Sequence, residues 1–125
     1  GAQTNSYNDI RNAKTIFFFG SNAAEAHPVA MQHILSGKEI NRSNMVVFDP
    51  RMTRTAAHAT EYVRFRSGTD IAVIWGLMWH IVKNGWEDKD FLAKRVYGMA
   101  DALKEVEKYD PKTVEDISGV PGAQM

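Results

Sequence analysis

Three short polar clusters stand in this 125-residue sequence directly after apolar stretches, and each contains residues that can bind a nucleotide. They are Gly20-Ser21-Asn22-Ala23-Ala24-Glu25, Asp49-Pro50-Arg51 and Arg66-Ser67-Gly68-Thr69-Asp70. Aspartate offers acceptor oxygens to a ribose diol or to the N–H edge of a guanine, and arginine offers forked donors to a phosphate or a carbonyl. Gly20 and Gly68 allow a ligand to approach the backbone closely. The clusters are therefore candidates for three loops that hold a nucleotide-like ligand.

The apolar stretches before these clusters predict three strands, near residues 14–20, 45–49 and 61–66. A helical pattern follows each strand. The first predicted helix has Pro28 in its opening turn, where the missing N–H is tolerated, and Gly37 as its stop.

The second predicted helix is short and begins near Thr53 or Arg54. The third is buried, is capped by Thr69 or Asp70, and runs to about Lys83.

This alternation of strands and helices predicts an α/β fold: a three-layer, Rossmann-like domain with a parallel sheet flanked by helices. We expect the third strand to lie beyond the second. Residues 1–125 are predicted to form a single dinucleotide-binding-like domain, with residues 86–125 as its mainly helical C-terminal part. In such a sheet the ligand crevice lies outside the carboxyl ends of the strands, where helix N-termini also favour phosphate.

Ordinary helix caps and turns are an alternative explanation of the same clusters, since loops of any α/β domain face water. The first cluster holds one glycine and lacks the G-x-G-x-x-G pattern, which disfavours a standard NAD site. His27, at a helix start in the expected crevice, is a further candidate for ligand contact. The three tryptophans are expected in the core or at a subunit interface.

Composition excludes several other functions. The 15 basic and 15 acidic side chains give no net charge, which argues against a nucleic-acid or polybasic membrane surface. The sequence has no cysteine, so it holds no thiolate metal site or iron–sulfur ligand. The four histidines lack metal-ligand spacing, and no apolar run approaches the roughly 20 residues of a membrane span.

Four motifs in order, TNSYNDI, GSNAAEAHPV, DPRMTRTAAHA and RSGTDI, resemble segments of the catalytic subunit of molybdenum- or tungsten-dependent formate dehydrogenases, in the molybdopterin oxidoreductase superfamily. The resemblance extends over essentially the whole chain. It implies one of two dinucleotide-binding-like domains that hold paired molybdopterin guanine dinucleotides, as an internal piece of a larger subunit. Related reductases share the D-P-R and G-T-D signals, so another member of the superfamily, such as a nitrate reductase, is an alternative identification. A free-standing nucleotide-binding module is a second alternative.

By motif, the resemblance assigns seven cofactor-binding residues and no catalytic or metal-binding residue. Asn22 and Glu25 would approach the phosphate and ribose portion of the dinucleotide. Gly20 would allow that portion to come close to the backbone. Asp49 and Arg51 would bind ribose and pyrophosphate. Gly68 and Asp70 would bind the guanine edge.

The resemblance also implies the surroundings of the chain. The parent would carry molybdenum or tungsten on the dinucleotides, and an iron–sulfur cluster that this chain does not ligate. Its partners would be the remaining domains of the subunit, an iron–sulfur electron-transfer subunit and formate, with no nucleic acid and no membrane contact by this chain. The periplasm is favoured over the cytoplasm. Alone, the chain is expected to be inactive and to self-associate.

Overall fold

Three parallel strands form the sheet in this computed structural model, which describes residues 4–125. Residues 1–3 of the predicted domain lie outside the described part. The chain divides into two compact units, Gly1–Arg64 and Phe65–Met125. That both belong to one dinucleotide-binding-like domain stays a prediction.

The first unit contains the sheet. Its elements in chain order are α1 (Tyr7–Asn12), β1 (Thr15–Phe19), α2 (Ala23–Ala26), α3 (Pro28–Asn41), β2 (Asn44–Phe48), a 3-10 turn (Ala56–His58) and β3 (Glu61–Val63). The strand order is β1-β2-β3, all parallel, with Phe19 opposite Phe48 and Phe48 opposite Val63. The predicted α/β fold with a parallel sheet flanked by helices is confirmed, and so is the third strand beyond the second.

The core of this unit lies between the sheet and α3. Met45 and Val47, two residues apart on β2, face the same side and are buried together with Phe18 of β1. Met31 and Ile34, one turn apart on α3, belong to the same buried cluster. Each such side chain contributes roughly 1.5–3 kcal/mol through burial. This packing fixes the strand ends from which the candidate loops leave.

Gly37 does not end the helix that contains it, so that prediction was wrong. Helix α3 starts at Pro28 as expected but continues through Gly37 to Asn41, and Arg42 ends it in the left-handed conformation with φ 53°. A Cβ at Gly37 would lie 2.6 Å from the carbonyl oxygen of Arg11. The glycine is required because α1 and α3 approach closely there, which local sequence patterns do not reveal.

Two further boundaries differ from the sequence prediction. Strand β3 ends at Val63 and does not reach residue 66. Arg66 instead donates its backbone N–H to Ser118 O at 2.8 Å, which draws this stretch out of the strand ladder. The predicted short helix is only a 3-10 turn, where the Thr53 hydroxyl accepts the Ala56 N–H at 3.1 Å.

The second unit is helical throughout its regular elements. They are α4 (Asp70–Lys83), α5 (Lys89–Arg95), α6 (Met99–Val106), α7 (Pro111–Ser118) and a 3-10 turn (Gly122–Gln124). Val73, Val106 and Val114 are fully buried. The predicted helical character of the C-terminal third is confirmed. In residues 4–125 no helix is long and apolar enough to cross a membrane.

The tryptophans differ in their environments. Trp75 stacks on Tyr109 within the second unit, with ring centroids 6.3 Å apart. Trp86 is 71% exposed and Phe17 of β1 is 51% exposed, so neither is a core residue. Self-association through such exposed apolar side chains stays a prediction.

Acid should destabilise the second unit through Asp110. Hydrogen bonds from the side chain and backbone N–H of Thr113 hold the pKa of this N-cap residue of α7 below its usual value of 3.8. A lowered folded-state pKa contributes stability that is present above the unfolded pKa and is lost as pH falls through the folded pKa. We expect Asp110→Asn to reduce the fall in melting temperature between about pH 5 and about pH 2. Asp116→Asn removes a charge from the same helix without a cap, and an equal reduction there would contradict this role.

Candidate functional site

The loop after β1 begins at Gly20, which keeps the strand pairing while turning the chain. Its N–H donates to Phe48 O at 2.9 Å, and its φ of +58° is one that other residues rarely adopt. Apart from Gly20 and its two chain neighbours, no heavy atom of the described chain lies within 4 Å of an added Cβ. Gly20 therefore leaves open space beside the backbone at the carboxyl end of β1. Its contact with a ligand stays a prediction.

Asn22 joins this loop to the one after β2. It precedes α2 without capping it through its side chain. Instead its Oδ1 accepts a hydrogen bond from the Thr55 hydroxyl at 3.0 Å, and that hydroxyl oxygen accepts the Ala24 N–H at 3.0 Å. Thr55 is fully buried. The two loops are thus fixed to each other by a side chain that the sequence analysis did not single out.

Glu25 is also paired across these loops. Its carboxylate lies 3.6 Å from Nε of Arg54, with side-chain exposures of 52% and 79% respectively. An ion pair this exposed contributes little stability. It does place a cation beside Glu25, which reduces the repulsion that a free carboxylate would exert on a phosphate.

Asp49 occupies the carboxyl end of β2, and only 8% of its surface is exposed. Its Oδ1 accepts the backbone N–H of Arg51 at 2.8 Å, which shapes the Asp-Pro-Arg turn. Its backbone carbonyl accepts the hydroxyl of Tyr62 at 2.9 Å. No hydrogen bond to the other carboxylate oxygen is found among residues 4–125.

A pocket of about 360 Å³ adjoins this turn and is lined by Pro50, Arg51, Met52, Tyr62 and Arg64. Among residues 4–125, neither arginine in the pocket forms an ion pair with a carboxylate. Two guanidinium groups that lack an ion-pair partner among these residues favour an anionic ligand. Arg64 was not a predicted site residue.

The electrostatics of this pocket are visible at Tyr62. Burial raises the pKa of the Tyr62 hydroxyl, the positive charge of Arg64 opposes that shift, and Asp49 adds to it. The charges of Arg64 and Asp49 therefore have opposite effects on the pKa of the same hydroxyl, so both groups lie near Tyr62.

A second pocket of about 380 Å³ in the same unit has a different character. It lies along α1 and β1, and its lining includes Asp9, Ile10 and Phe17. Hydrogen bonds from Ser6 keep the pKa of Asp9 low, so this pocket carries a negative charge. It is less suited to a phosphate than the arginine-lined pocket.

Gly68 and Asp70, the predicted guanine-edge residues, lie in the second unit. Gly68 has φ +80° with open space where a Cβ would stand, and Asp70 is the exposed first residue of α4. Thr69 is the N-cap, but its hydroxyl donates to Arg66 O at 2.6 Å, so it makes no side-chain cap bond. The guanine role of Gly68 and Asp70 stays a prediction.

Arg66 of the same cluster has a structural role. Its guanidinium donates to the carbonyls of Asp116 and Ile117 at the end of α7, at 2.6 and 3.1 Å. Cations stabilise a helix C-terminus. The guanidinium of Arg66, a candidate donor to a ligand phosphate or carbonyl, thus bonds to backbone carbonyls of the chain itself.

No group of three or more potential metal ligands is found in residues 4–125. His27, the additional candidate, is exposed at the start of α3 and makes no side-chain cap bond. Its contact with a ligand stays a prediction.

Known proteins with related sequences identify the family of this chain. Formate dehydrogenase H of Escherichia coli is 35% identical over 125 residues, which are 100% of this chain and 17% of that protein. The F420-dependent formate dehydrogenase 1 subunit alpha of Methanococcus maripaludis is 38% identical, over 96% of this chain and 18% of the relative. Periplasmic nitrate reductase of Desulfovibrio desulfuricans is 33% identical over 95% of this chain. The chain spans less than a fifth of the length of these relatives.

A solved structure supports the fold. Acetylene hydratase from Pelobacter acetylenicus superposes with a TM-score of 0.82 over 94% of this chain and 18% of that one, at 20% sequence identity. The sequence pattern of the family described as molybdopterin oxidoreductase matches residues 1–116. With the motifs, the parallel sheet and the matched relatives in agreement, the chain belongs to the molybdopterin oxidoreductase family.

Proposed function

We propose that the chain is a cofactor-binding domain that holds one molybdopterin guanine dinucleotide. The observation that carries this proposal is the joined pair of loops after β1 and β2. They combine an open glycine turn, a buried aspartate and an arginine that has no carboxylate partner among residues 4–125. The family implies a molybdopterin cofactor, and this donor set suits the phosphate and ribose part of its dinucleotide form.

Each residue has a proposed role that follows from its chemistry. Arg51 binds the pyrophosphate with its guanidinium, and Asp49 accepts a ribose hydroxyl with its remaining carboxylate oxygen. Asn22 and Glu25 approach the phosphate and ribose portion, where the open turn at Gly20 admits the ligand.

The guanine end of the ligand is assigned by motif. We propose that Asp70 accepts the guanine N–H groups and that Gly68 allows the base close to the backbone. Open space at Gly68 and the exposed carboxylate of Asp70 support these roles.

The bound cofactor, with molybdenum or tungsten, supplies the two-electron redox chemistry. This chain's residues bind and orient it. We propose that the protein containing the chain oxidises formate to carbon dioxide and passes the electrons to iron–sulfur clusters and an iron–sulfur subunit. The formate dehydrogenases among its relatives support that substrate. The periplasm is the proposed compartment, with the cytoplasm as the alternative.

Nitrate reduction is the second candidate, because a periplasmic nitrate reductase is 33% identical to this chain. The whole protein distinguishes the two: formate-dependent reduction of an electron-acceptor dye supports the first, and nitrate-dependent oxidation of a reduced dye supports the second. The 125-residue chain alone is expected to do neither.

The binding role can be measured on the chain itself with guanosine diphosphate, which carries the guanine, the ribose and a pyrophosphate. We expect calorimetric titration to give saturable binding that is tighter than binding of inorganic pyrophosphate alone. Guanosine diphosphate adds a ribose that contacts Asp49 and a base that makes its own contacts, and pyrophosphate has neither group. Absence of saturable binding at millimolar ligand would contradict the proposed cofactor role.

A further inference from the structure

The hydroxyl of Thr55 forms the centre of a directional hydrogen-bond chain. Its oxygen accepts a hydrogen bond from the Ala24 N–H at 3.0 Å. The hydroxyl donates a hydrogen bond to Asn22 Oδ1, with 3.0 Å between the two oxygens. These partners are 31 and 33 residues away in sequence, so the chain joins the loop after β2 to the loop after β1. The side chain of Thr55 is inaccessible to solvent and cannot touch a ligand itself.

The direction of this chain fixes the orientation of the Asn22 amide. A hydroxyl has a single proton, and here it is directed to the amide oxygen. The NH₂ end of Asn22 is therefore the end that remains for a ligand, and no acceptor for it is found in the described part of the chain. An amide held in this way offers donors, which suit a phosphate oxygen and not the N–H edge of a base.

We propose that Thr55 is a positioning residue: it orients Asn22 so that the side-chain NH₂ donates to the pyrophosphate of the bound dinucleotide. This inference rests on the proposed cofactor role. It explains why a hydroxyl is buried between the two loops, and it adds Thr55 to the residues on which the site depends.

Thr55→Val removes the hydroxyl while keeping the side-chain shape. It leaves the Ala24 N–H and the Asn22 oxygen without their partner, so we expect the affinity for guanosine diphosphate to fall roughly 5- to 30-fold. Thr55→Ser restores the hydroxyl and should restore most of the affinity. The matched control is Thr53→Val, because Thr53 is also buried and its hydroxyl accepts the Ala56 N–H at 3.1 Å. Thr53→Val should lower the melting temperature similarly and leave the affinity within about twofold.

A double-mutant cycle separates positioning from general loop damage. If Thr55 acts through Asn22, Thr55→Val should have little further effect on affinity once Asn22→Ala is present. An undiminished effect in that background would overturn the inference, as would unchanged binding by Thr55→Val or an equal loss in Thr53→Val.

A variant at Asn22 tests the same inference without altering the buried hydroxyl. Asn22→Asp keeps an acceptor for Thr55 but turns a carboxylate oxygen toward the phosphate, so its affinity should fall below that of Asn22→Ala at an unchanged melting temperature. Wild-type-like binding by Asn22→Asp would overturn the orientation argued here. If wild-type chain fails to bind guanosine diphosphate, the cofactor role itself is overturned, whereas normal wild-type binding with neutral Asn22 and Thr55 variants rejects the positioning role alone.

Discussion

Arg51→Ala is expected to weaken binding of guanosine diphosphate by about 10- to 150-fold, the range for losing a hydrogen bond to a charged group. The side chain lines the arginine pocket, where no carboxylate competes for its donors among the residues described. The turn itself should survive, because Asp49 Oδ1 bonds to the backbone N–H of Arg51, which alanine retains. The loss should therefore appear in affinity and not in the melting temperature.

Arg11→Ala provides the matched control for the change in net charge. Arg11 lies on α1, just before β1 begins, and its carbonyl accepts the side chain of Asn41 at the end of α3. It is thus placed at the end of the sheet opposite the candidate loops. Its replacement should change the affinity less than about threefold, since a remote surface charge is screened by salt. Equal losses in both variants would mean that net charge attracts the ligand and that Arg51 does not contact it.

Gly37→Ala is expected to destabilise the first unit by about 1–3 kcal/mol, the usual effect of inserting a methyl group into a filled space. The new Cβ would lie 2.6 Å from the carbonyl oxygen of Arg11, which is backbone and cannot rotate away. Without that contact the substitution would stabilise α3 by about 0.5–1 kcal/mol, because alanine is the better helix residue. The sign of the change therefore reports the packing of α1 on α3.

Urea unfolding of Gly37→Ala and of Gln32→Ala measures this effect. Gln32 is exposed on the same helix, so its replacement should stay within about 0.5 kcal/mol of the wild type. Stabilisation of the chain by Gly37→Ala would contradict the close approach of α1 and α3.

Continuous apolar runs were sufficient to predict the sheet. Segments such as Lys14–Gly20 and Asn44–Pro50 carry their strand signal locally, and the alternation of strands with helices predicts their parallel pairing in a Rossmann-like order. Pro28 marked the start of α3 for the same reason, because its effect on the first helical turn is local.

The wrong boundary at Gly37, the early end of β3 and the role of Thr55 each involve contacts between distant parts of the sequence. Gly37 resembles a helix stop until Arg11 is placed against it, and residues after Val63 resemble strand until Arg66 pairs with the end of α7. The sequence alone does not reveal the role of Thr55, because its partners lie more than 30 residues away. Side-chain patterns identified the loops of the candidate site, but only the fold identifies which residues join them.

Nuclear magnetic resonance titration of the ¹⁵N-labelled chain with guanosine diphosphate locates the bound ligand residue by residue, and so tests whether the two loops hold it. We expect the backbone amides of residues 20–25, 49 and 51–55 to shift together and saturate at one dissociation constant, while the amides of Asp9 and Ile10 in the other pocket stay unchanged. Shifts centred on Asp9 and Ile10, or no saturable shifts in the two loops, would contradict it.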